Sequence, residues 1–321
     1  MNDKQIFEVL LPVAPKDIPN LHLCVKRIVD NICPQKIVVV ASKQFKDQIS
    51  QLDKVVFFDE DQLIQHLTLD SLKQIMVKIK GTETRSNWYF QQFLKMAYAY
   101  QCSTDYYLVW DSDTIPLRNI QFWKNIEGEE KCLFSEHHHS HQPCIDTLYK
   151  LFNGKVKRLF NKSFIVEHMM INQKIMRELI HDIEMNDKLQ GTYFFEKILY
   201  AINKKDIEYG AFSEFETYGN YILNFYPDMY TIRKLKAYRQ GSMVIEKSQI
   251  NTEVLDWVAK DYETVSFEEL HGYNSIFIFL RKRGESIVQK KKISFKTYQF
   301  PFSTLEKLAV LKHSITKVLK H

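Results

Sequence analysis

The sequence lacks most features that would set this chain apart from ordinary globular proteins. No stretch reaches eighteen consecutive apolar residues, so no membrane-spanning helix is predicted. The five cysteines form no C-x-x-C pair, and their odd number without a signal peptide predicts reduced thiols and a cytoplasmic location. The chain also has no internal repeat, no Gly/Ser-rich linker and no low-complexity segment. One compact domain with C-terminal additions is therefore expected.

The charge balance is also close to neutral. The 44 Lys and Arg residues exceed the 39 Asp and Glu residues by five, and a net charge of +5 is too small to predict a nucleic-acid partner. With 45% hydrophobic and 26% charged residues, the composition is that of a globular protein and excludes a disordered chain or a fibrous repeat. A length of 321 residues is enough to bury a large core, as an enzyme requires.

Short apolar runs dominate the first sixty residues. Residues 6–14, 36–42 and 54–60 are such runs, and polar stretches long enough for helices separate them. Between the first two runs, residues 17–33 carry apolar side chains at helical spacing. This alternation predicts an α/β fold with a Rossmann-like, mainly parallel sheet flanked by helices.

The stretch YYLVWDSDTIPL, residues 106–117, places two carboxylates at the end of a predicted buried strand. In an extended chain Asp111 and Asp113 point the same way, with Ser112 between them. The carboxyl ends of strands are where open α/β sheets bind ligands. Paired carboxylates need a cation or a proton, and Mg²⁺ or Mn²⁺ binds one or two carboxylates together with water and substrate phosphates. The pattern therefore predicts a divalent cation and a nucleotide diphosphate.

Four segments carry a resemblance to a known family. YLVWDSDTIPL resembles the DxD motif of GT-A glycosyltransferases, and NWYFQQFLKM, SFIVEHMMIN and FSEFETYGNY extend the match over residues 5–230. Together they resemble a bacterial family of GT-A-like transferases associated with capsule and lipopolysaccharide synthesis. The resemblance implies a GT-A-like fold and transfer of a sugar, expected to be a hexose, from a nucleotide-diphosphate sugar, by default a UDP-sugar. The acceptor would be a glycan or a lipid-linked molecule.

The resemblance also implies roles for acidic and histidine side chains. Asp113 would bind the metal directly, Asp111 would contact the ribose or bind the metal through water, and His271 could complete the metal shell. Glu214 or Glu216 would accept the proton of the acceptor hydroxyl if the enzyme inverts configuration. These roles make the cofactor Mn²⁺ or Mg²⁺.

Further binding residues are expected on either side of the motif. By the same resemblance, His168 and Asn172 would contact the donor or acceptor sugar. Trp88 or Tyr89 could stack on the base, while cationic groups before the motif would offset phosphate charge. The residues expected to bind the nucleotide sugar are Arg85, Trp88, Gln91, Gln92, Lys95 and Ser112.

The domain prediction separates a catalytic part from a basic tail. Residues 1–285 would form the catalytic domain, with a nucleotide-sugar half at about 1–120 and an acceptor half at about 121–285. Residues 286–321 would form a basic segment, in which 303–321 has the pattern of an amphipathic helix. This helix could contact the inner face of the plasma membrane or pack on the domain.

Two other functions are compatible with the same residues. VWDSDTI partly matches the nucleophile motif of haloacid-dehalogenase-type phosphohydrolases, with Asp111 as nucleophile. However, Ile115 stands where that motif has Thr or Val, and the second acidic pair is missing. A non-catalytic nucleotide- or glycan-binding protein is the third hypothesis. In the plainest interpretation, the aspartates cap a turn and Glu214 and Glu216 begin a solvated helix.

Overall fold

The computed structural model describes residues 5–137, 140–245 and 247–268. His271, the basic segment 286–321 and its predicted helix lie outside the described residues, so the predicted domain boundaries stay a prediction. The chain divides into two compact units, each composed of three segments. Unit 1 consists of Met1–Ile18, Cys33–Ser112 and Gln121–Leu235, and unit 2 consists of Pro19–Ile32, Asp113–Ile120 and Lys236–His321.

The secondary structure of the described residues alternates between strands and helices. The strands are β1 (Phe7–Pro12), β2 (Ile37–Ala41), β3 (Val55–Asp59), β4 (Tyr106–Trp110), β5 (Thr114–Pro116), β6 (Trp123–Ile126), β7 (Glu129–Ser135), β8 (His168–Asn172), β9 (Tyr230–Arg233), β10 (Ala237–Tyr238) and β11 (Thr264–Ser266). The α-helices are α1 (Leu21–Asn31), α2 (Lys46–Ile49), α3 (Glu60–Leu63), α4 (Leu69–Lys80), α5 (Ser86–Ala97), α6 (Gln142–Leu151), α7 (Gln173–Glu184), α8 (Phe194–Ala201), α9 (Glu214–Phe225), α10 (Gly241–Val244) and α11 (Thr252–Val258). In the described residues, no helix is both long and apolar enough to cross a membrane.

The central sheet of unit 1 has the strand order β3-β2-β1-β4-β8. The first four strands are parallel, and β8 is antiparallel to β4, with Trp110 opposite His168. Strands β1 and β2 are buried along their whole length, as expected of strands covered on both faces. Helix α5 packs against β1 and α7 against β8. The predicted α/β class with a mixed, mainly parallel sheet flanked by helices is therefore confirmed.

The starts of α9 and α7 have side-chain caps, whereas the start of α5 has none. Ser213 caps α9 by accepting from the N–H of Glu216, and Asn172 caps α7 in the same way. Helix α5 begins at Ser86, and Arg85 precedes it in the left-handed conformation at φ 65°.

Smaller sheets complete the two units. In unit 1, β6, β7 and β9 form a three-stranded sheet. In unit 2, β5 pairs with β11, which pairs with β10, and this sheet packs on a core that includes Leu255, Trp257 and Val265. Pro116 ends β5 at the edge of its sheet, where the missing N–H costs no ladder hydrogen bond.

Candidate functional site

The candidate site lies in unit 1 at the carboxyl end of β4. There the strand order reverses, because β2 and β3 lie on one side of β1 and β4 lies on the other. Open α/β sheets bind ligands at such a switch point. Side chains that follow β1 and β4 meet at this point: the hydroxyl of Ser112, after β4, donates to the buried carboxylate of Asp17, after β1, at 3.1 Å.

Sequence reasoning did not identify Asp17. Its position could have been found from a simple signal, a carboxylate five residues after the first buried strand. This position is equivalent to that of the aspartates after β4, because both segments leave the carboxyl edge of the sheet. Ser112, by contrast, was predicted.

A buried lysine joins two carboxylates beside this point. The Lys95 ammonium lies 2.7 Å from Oδ1 of Asp111 and 2.9 Å from Oε1 of Glu214. The side chains of Lys95 and Glu214 are 6% and 1% exposed, whereas that of Asp111 is 32% exposed. Three residues predicted separately, from α5, from the end of β4 and from the start of α9, are thus in direct contact.

Local contacts hold Lys95 and Glu214 in place. The Tyr107 hydroxyl of β4 donates to the backbone carbonyl of Lys95 at 2.9 Å, which fixes the end of α5 against the strand. The ammonium also lies 4.7 Å from the ring centre of Phe215, within cation–π range. Glu214 is the first residue of α9, where the helix dipole favours a carboxylate.

Burial and neighbouring charges have opposite effects on the pKa values of Lys95 and Glu214. Burial alone would lower the pKa of Lys95, but the charges of Asp111 and Glu214 and their hydrogen bonds outweigh it and leave that pKa raised. Burial raises the pKa of Glu214, and the Lys95 charge opposes this effect without cancelling it. With both carboxylates ionised, the three groups carry one net negative charge. The site therefore favours a cation at the exposed side of Asp111.

Glu216, the second predicted base, lies elsewhere in unit 1. Its carboxylate accepts from the Ser163 hydroxyl at 2.6 Å, from the N–H of Phe164 at 2.9 Å and from the Asn220 amide at 3.1 Å. It therefore fixes the segment before β8 to α9. Glu214 and Glu216 are both 1% exposed, so either would have to become accessible before it could act as a base. That role stays a prediction.

His168 and Asn172 lie at the two ends of β8, and both are buried. His168 stacks on Trp110, with ring centres 4.8 Å apart, and its Nε2 lies 3.1 Å from the Ser135 hydroxyl and 3.3 Å from Nη2 of Arg233. Burial, and then the Arg233 charge, hold the pKa of His168 well below its usual range. Asn172 caps α7 with its side-chain oxygen. The predicted sugar contacts of both residues are untested.

The residues predicted earlier in α5 and just before it make other contacts, and their nucleotide contacts stay a prediction. Ten residues, about 15 Å of helix, separate Arg85 from Lys95. The Arg85 guanidinium donates to the carbonyl of Glu208 at 2.6 Å, and Trp88 is half-buried with its ring edge-on to Tyr89. The remaining two predicted side chains are Gln91, which is half-buried, and Gln92, which is buried and donates to the carbonyl of Trp88.

The second aspartate of the motif begins the middle segment of unit 2. Strand β4 ends at Trp110, so both aspartates lie in the turn after it and the alternation of a strand does not apply to them. Within unit 2, the carbonyl of Asp113 accepts from the N–H of Phe267 at 2.8 Å.

The donor groups fit one class of metal ion. Within residues 5–137, 140–245 and 247–268, no group of three or more His, Cys, Asp or Glu side chains is arranged to hold a metal. A closed zinc-type site is therefore not formed by these residues. A partly exposed carboxylate such as Asp111, in a group with net negative charge, does suit Mg²⁺ or Mn²⁺, which take few protein ligands and fill their shell with water and phosphate.

Comparisons with known proteins place the chain in a family. A solved structure titled "WbbM bifunctional glycosytransferase apo structure" is similar at a TM-score of 0.37 and 13% identity, over 84% of this chain and 47% of that one. This chain thus spans about half the length of that structure, and a likeness so remote says nothing about its activity. No curated protein matches significantly. A family of unknown function, DUF6492, matches residues 16–290, and this chain therefore belongs to that family.

Proposed function

We propose that this chain is a metal-dependent glycosyltransferase that uses a nucleotide-diphosphate sugar, by default a UDP-sugar. The observation that carries the proposal is the shared ammonium of Lys95, which joins Asp111 to Glu214 at the carboxyl end of β4. The Ser112–Asp17 contact lies beside it at the switch point of the sheet. A charged, buried group at this position is costly for stability and is typical of a ligand site.

The reaction sets what the residues must do. The bond between the anomeric carbon and the diphosphate oxygen breaks, a bond to the acceptor oxygen forms, and the acceptor hydroxyl loses its proton. Asp111 and Asp113 of the DxD sequence would hold Mn²⁺ or Mg²⁺, which supplies positive charge to the leaving diphosphate. Without the metal, Lys95 pairs with Asp111, and Glu214 or Glu216 remains the predicted proton acceptor. The acceptor, a glycan or a lipid-linked molecule of surface polysaccharide synthesis, belongs to the same proposal.

The test is thermal stability against a panel of nucleotide sugars and nucleoside diphosphates with Mn²⁺, Mg²⁺ or EDTA. A ligand that binds the native state raises the melting temperature by mass action. We expect one nucleotide to stabilise the chain in the presence of metal, and Asp111→Asn to lose that effect.

Asp105→Asn is the matched control, because Asp105 is an exposed aspartate just before the other end of β4. It should keep the metal-dependent shift. The proposal fails if folded wild-type protein gains no stability from any donor. Hydrolysis of a generic phosphate ester by wild type, lost in Asp111→Asn, would instead support the phosphohydrolase alternative.

A further inference from the structure

We propose that Lys95 competes with a divalent cation for Asp111. When the cation binds, the Lys95 ammonium gives up its contact with Asp111 and keeps its contact with Glu214. This inference rests on the proposed function and adds a regulation of the same site. It predicts that the cation binds weakly alone and tightly with a nucleoside diphosphate.

The first argument is charge. An ammonium 2.7 Å from Oδ1 of Asp111 occupies one oxygen of the carboxylate that a cation would use. A divalent cation on the same carboxylate would lie a few ångströms from that ammonium, and two positive charges at such a distance repel strongly in a protein interior. Cation binding to Asp111 therefore has to displace Lys95.

The second argument is the difference in exposure between the two partners of Lys95. The Asp111 side chain is 32% exposed and can turn toward solvent, whereas Glu214 is 1% exposed and cannot. An ammonium that loses Asp111 still has Glu214 at 2.9 Å, so it is not left buried without a counter-charge. The exchange thus breaks the Lys95–Asp111 ion pair and leaves the more buried Lys95–Glu214 pair intact.

The third argument links the exchange to the nucleotide. A diphosphate bound with the cation adds negative charge beside the displaced ammonium, which favours the exchanged state. The two ligands then promote each other's binding, and by linkage the effect is equal in both directions. Lys95 would in this way couple occupancy by the cation to occupancy by the donor.

The experiment measures Mn²⁺ binding by electron paramagnetic resonance, with and without UDP, or with the stabilising nucleotide of the panel in its place. Wild type is compared with Lys95→Met, which removes the ammonium. In the absence of nucleotide, we expect Lys95→Met to bind Mn²⁺ at least about tenfold more tightly than wild type, because the competing charge is gone. The gain in Mn²⁺ affinity on adding the nucleotide should shrink by a similar factor.

Two further variants control the result. Lys197 is also a buried lysine of unit 1, but its ammonium donates to the carbonyls of Asn186 and Leu189. Lys197→Met should leave Mn²⁺ binding as in wild type. Glu214→Gln leaves Lys95 with Asp111 as its charged partner and should weaken Mn²⁺ binding, which gives a second, opposite readout if Lys95→Met does not fold.

The outcomes separate the two proposals. If the nucleotide binds but neither Lys95→Met nor Glu214→Gln changes Mn²⁺ affinity in the stated direction, Lys95 does not compete with the cation and the proposed function survives. If folded wild-type protein binds neither Mn²⁺ nor any nucleotide of the panel, the proposed function itself is wrong and this inference falls with it.

Discussion

The two ends of the central sheet in unit 1 hold carboxylates in opposite electrostatic situations. At the amino end, Glu8 of β1 is fully buried and receives donors from four groups: the Lys36 ammonium at 3.0 Å, the N–H of Ser103 at 3.2 Å, and the hydroxyls of Tyr98 and Ser103. At the carboxyl end, Asp111 and Glu214 share one ammonium. One end has a carboxylate with ample donors, and the other has a net negative charge.

The difference shows how a protein can use the same chemical group in two ways. Burial alone would raise the pKa of Glu8, but the hydrogen bonds from Ser103, Tyr98 and Lys36 outweigh it and lower that pKa. The carboxylate therefore stabilises the fold in its charged form. At the other end, burial raises the pKa of Glu214, the Lys95 charge and hydrogen bond only partly offset this, and the neighbouring Asp111 charge adds to the rise. Such under-compensated charge is typical of sites that bind a further ligand.

The largest effect on stability is expected from a substitution at Glu8, at the amino end of the central sheet. Glu8→Gln removes the charge that four donors surround, and we expect the free energy of unfolding at neutral pH to fall by about 2 to 3 kcal/mol. Asp111→Asn should cost less than about 1 kcal/mol, because an amide oxygen still accepts from Lys95. Urea denaturation of both variants measures the difference. Equal losses of unfolding free energy in the two variants would show that the charge of Glu8 stabilises the fold no more than the charge of Asp111 does.

The buried Glu8 carboxylate also predicts how stability depends on pH. Because the pKa of Glu8 is lower in the folded state than its ordinary value of 4.5, the unfolded chain binds the proton more readily. The contribution of Glu8 is present above pH 4.5 and is lost as pH falls below it. Stability should therefore decrease less steeply with acid in Glu8→Gln than in wild type.

A smaller effect is expected from Glu216→Gln. The amide keeps one acceptor oxygen but loses the charge that binds the Ser163 hydroxyl and the N–H of Phe164, so stability should fall by about 1 to 2 kcal/mol. The nucleotide-dependent thermal shift should persist, because these contacts do not involve Asp111. Loss of that shift with unchanged stability would instead place Glu216 in the ligand site.

The smallest effect concerns His168, which lies at the carboxyl end of β4 without belonging to the charged group. Its pKa is far below the ordinary 6.5, so the unfolded chain takes up the proton first and stability falls as pH drops below 6.5. The expected loss is roughly 1 kcal/mol over the first pH unit. Denaturation at pH 7.5, 6.5 and 5.5 should show a flatter dependence for His168→Gln. An identical slope in the variant would mean that His168 is already protonated or exposed in the fold.

Local sequence patterns were sufficient to predict the elements of the sheet. The runs at 6–14, 36–42 and 54–60 became β1, β2 and β3, each one or two residues shorter at its ends. Strand ends are less certain because the last residues pair weakly and turns compete for them. This uncertainty mattered at Asp111, which lies just past β4 and not within it.

The candidate site was only partly predictable for a different reason. Asp111, Lys95 and Glu214 were each predicted, but as a metal or ribose ligand, a phosphate contact and a base, with no contact among them. Arg85 was predicted beside Lys95 in sequence, yet its guanidinium binds the carbonyl of Glu208. Distances between segments more than ten residues apart depend on how helices pack, and no local pattern encodes them.

The sequence by itself determined the alternation of buried strands and helices, because side-chain periodicity and burial are properties of neighbouring residues. It also placed a pair of carboxylates after a buried strand. Only the tertiary structure decided that α9 brings Glu214 to Lys95 and that Asp17 meets Ser112. The physical reason is that buried charges are stable only beside a partner, and the fold sets which distant side chain becomes that partner.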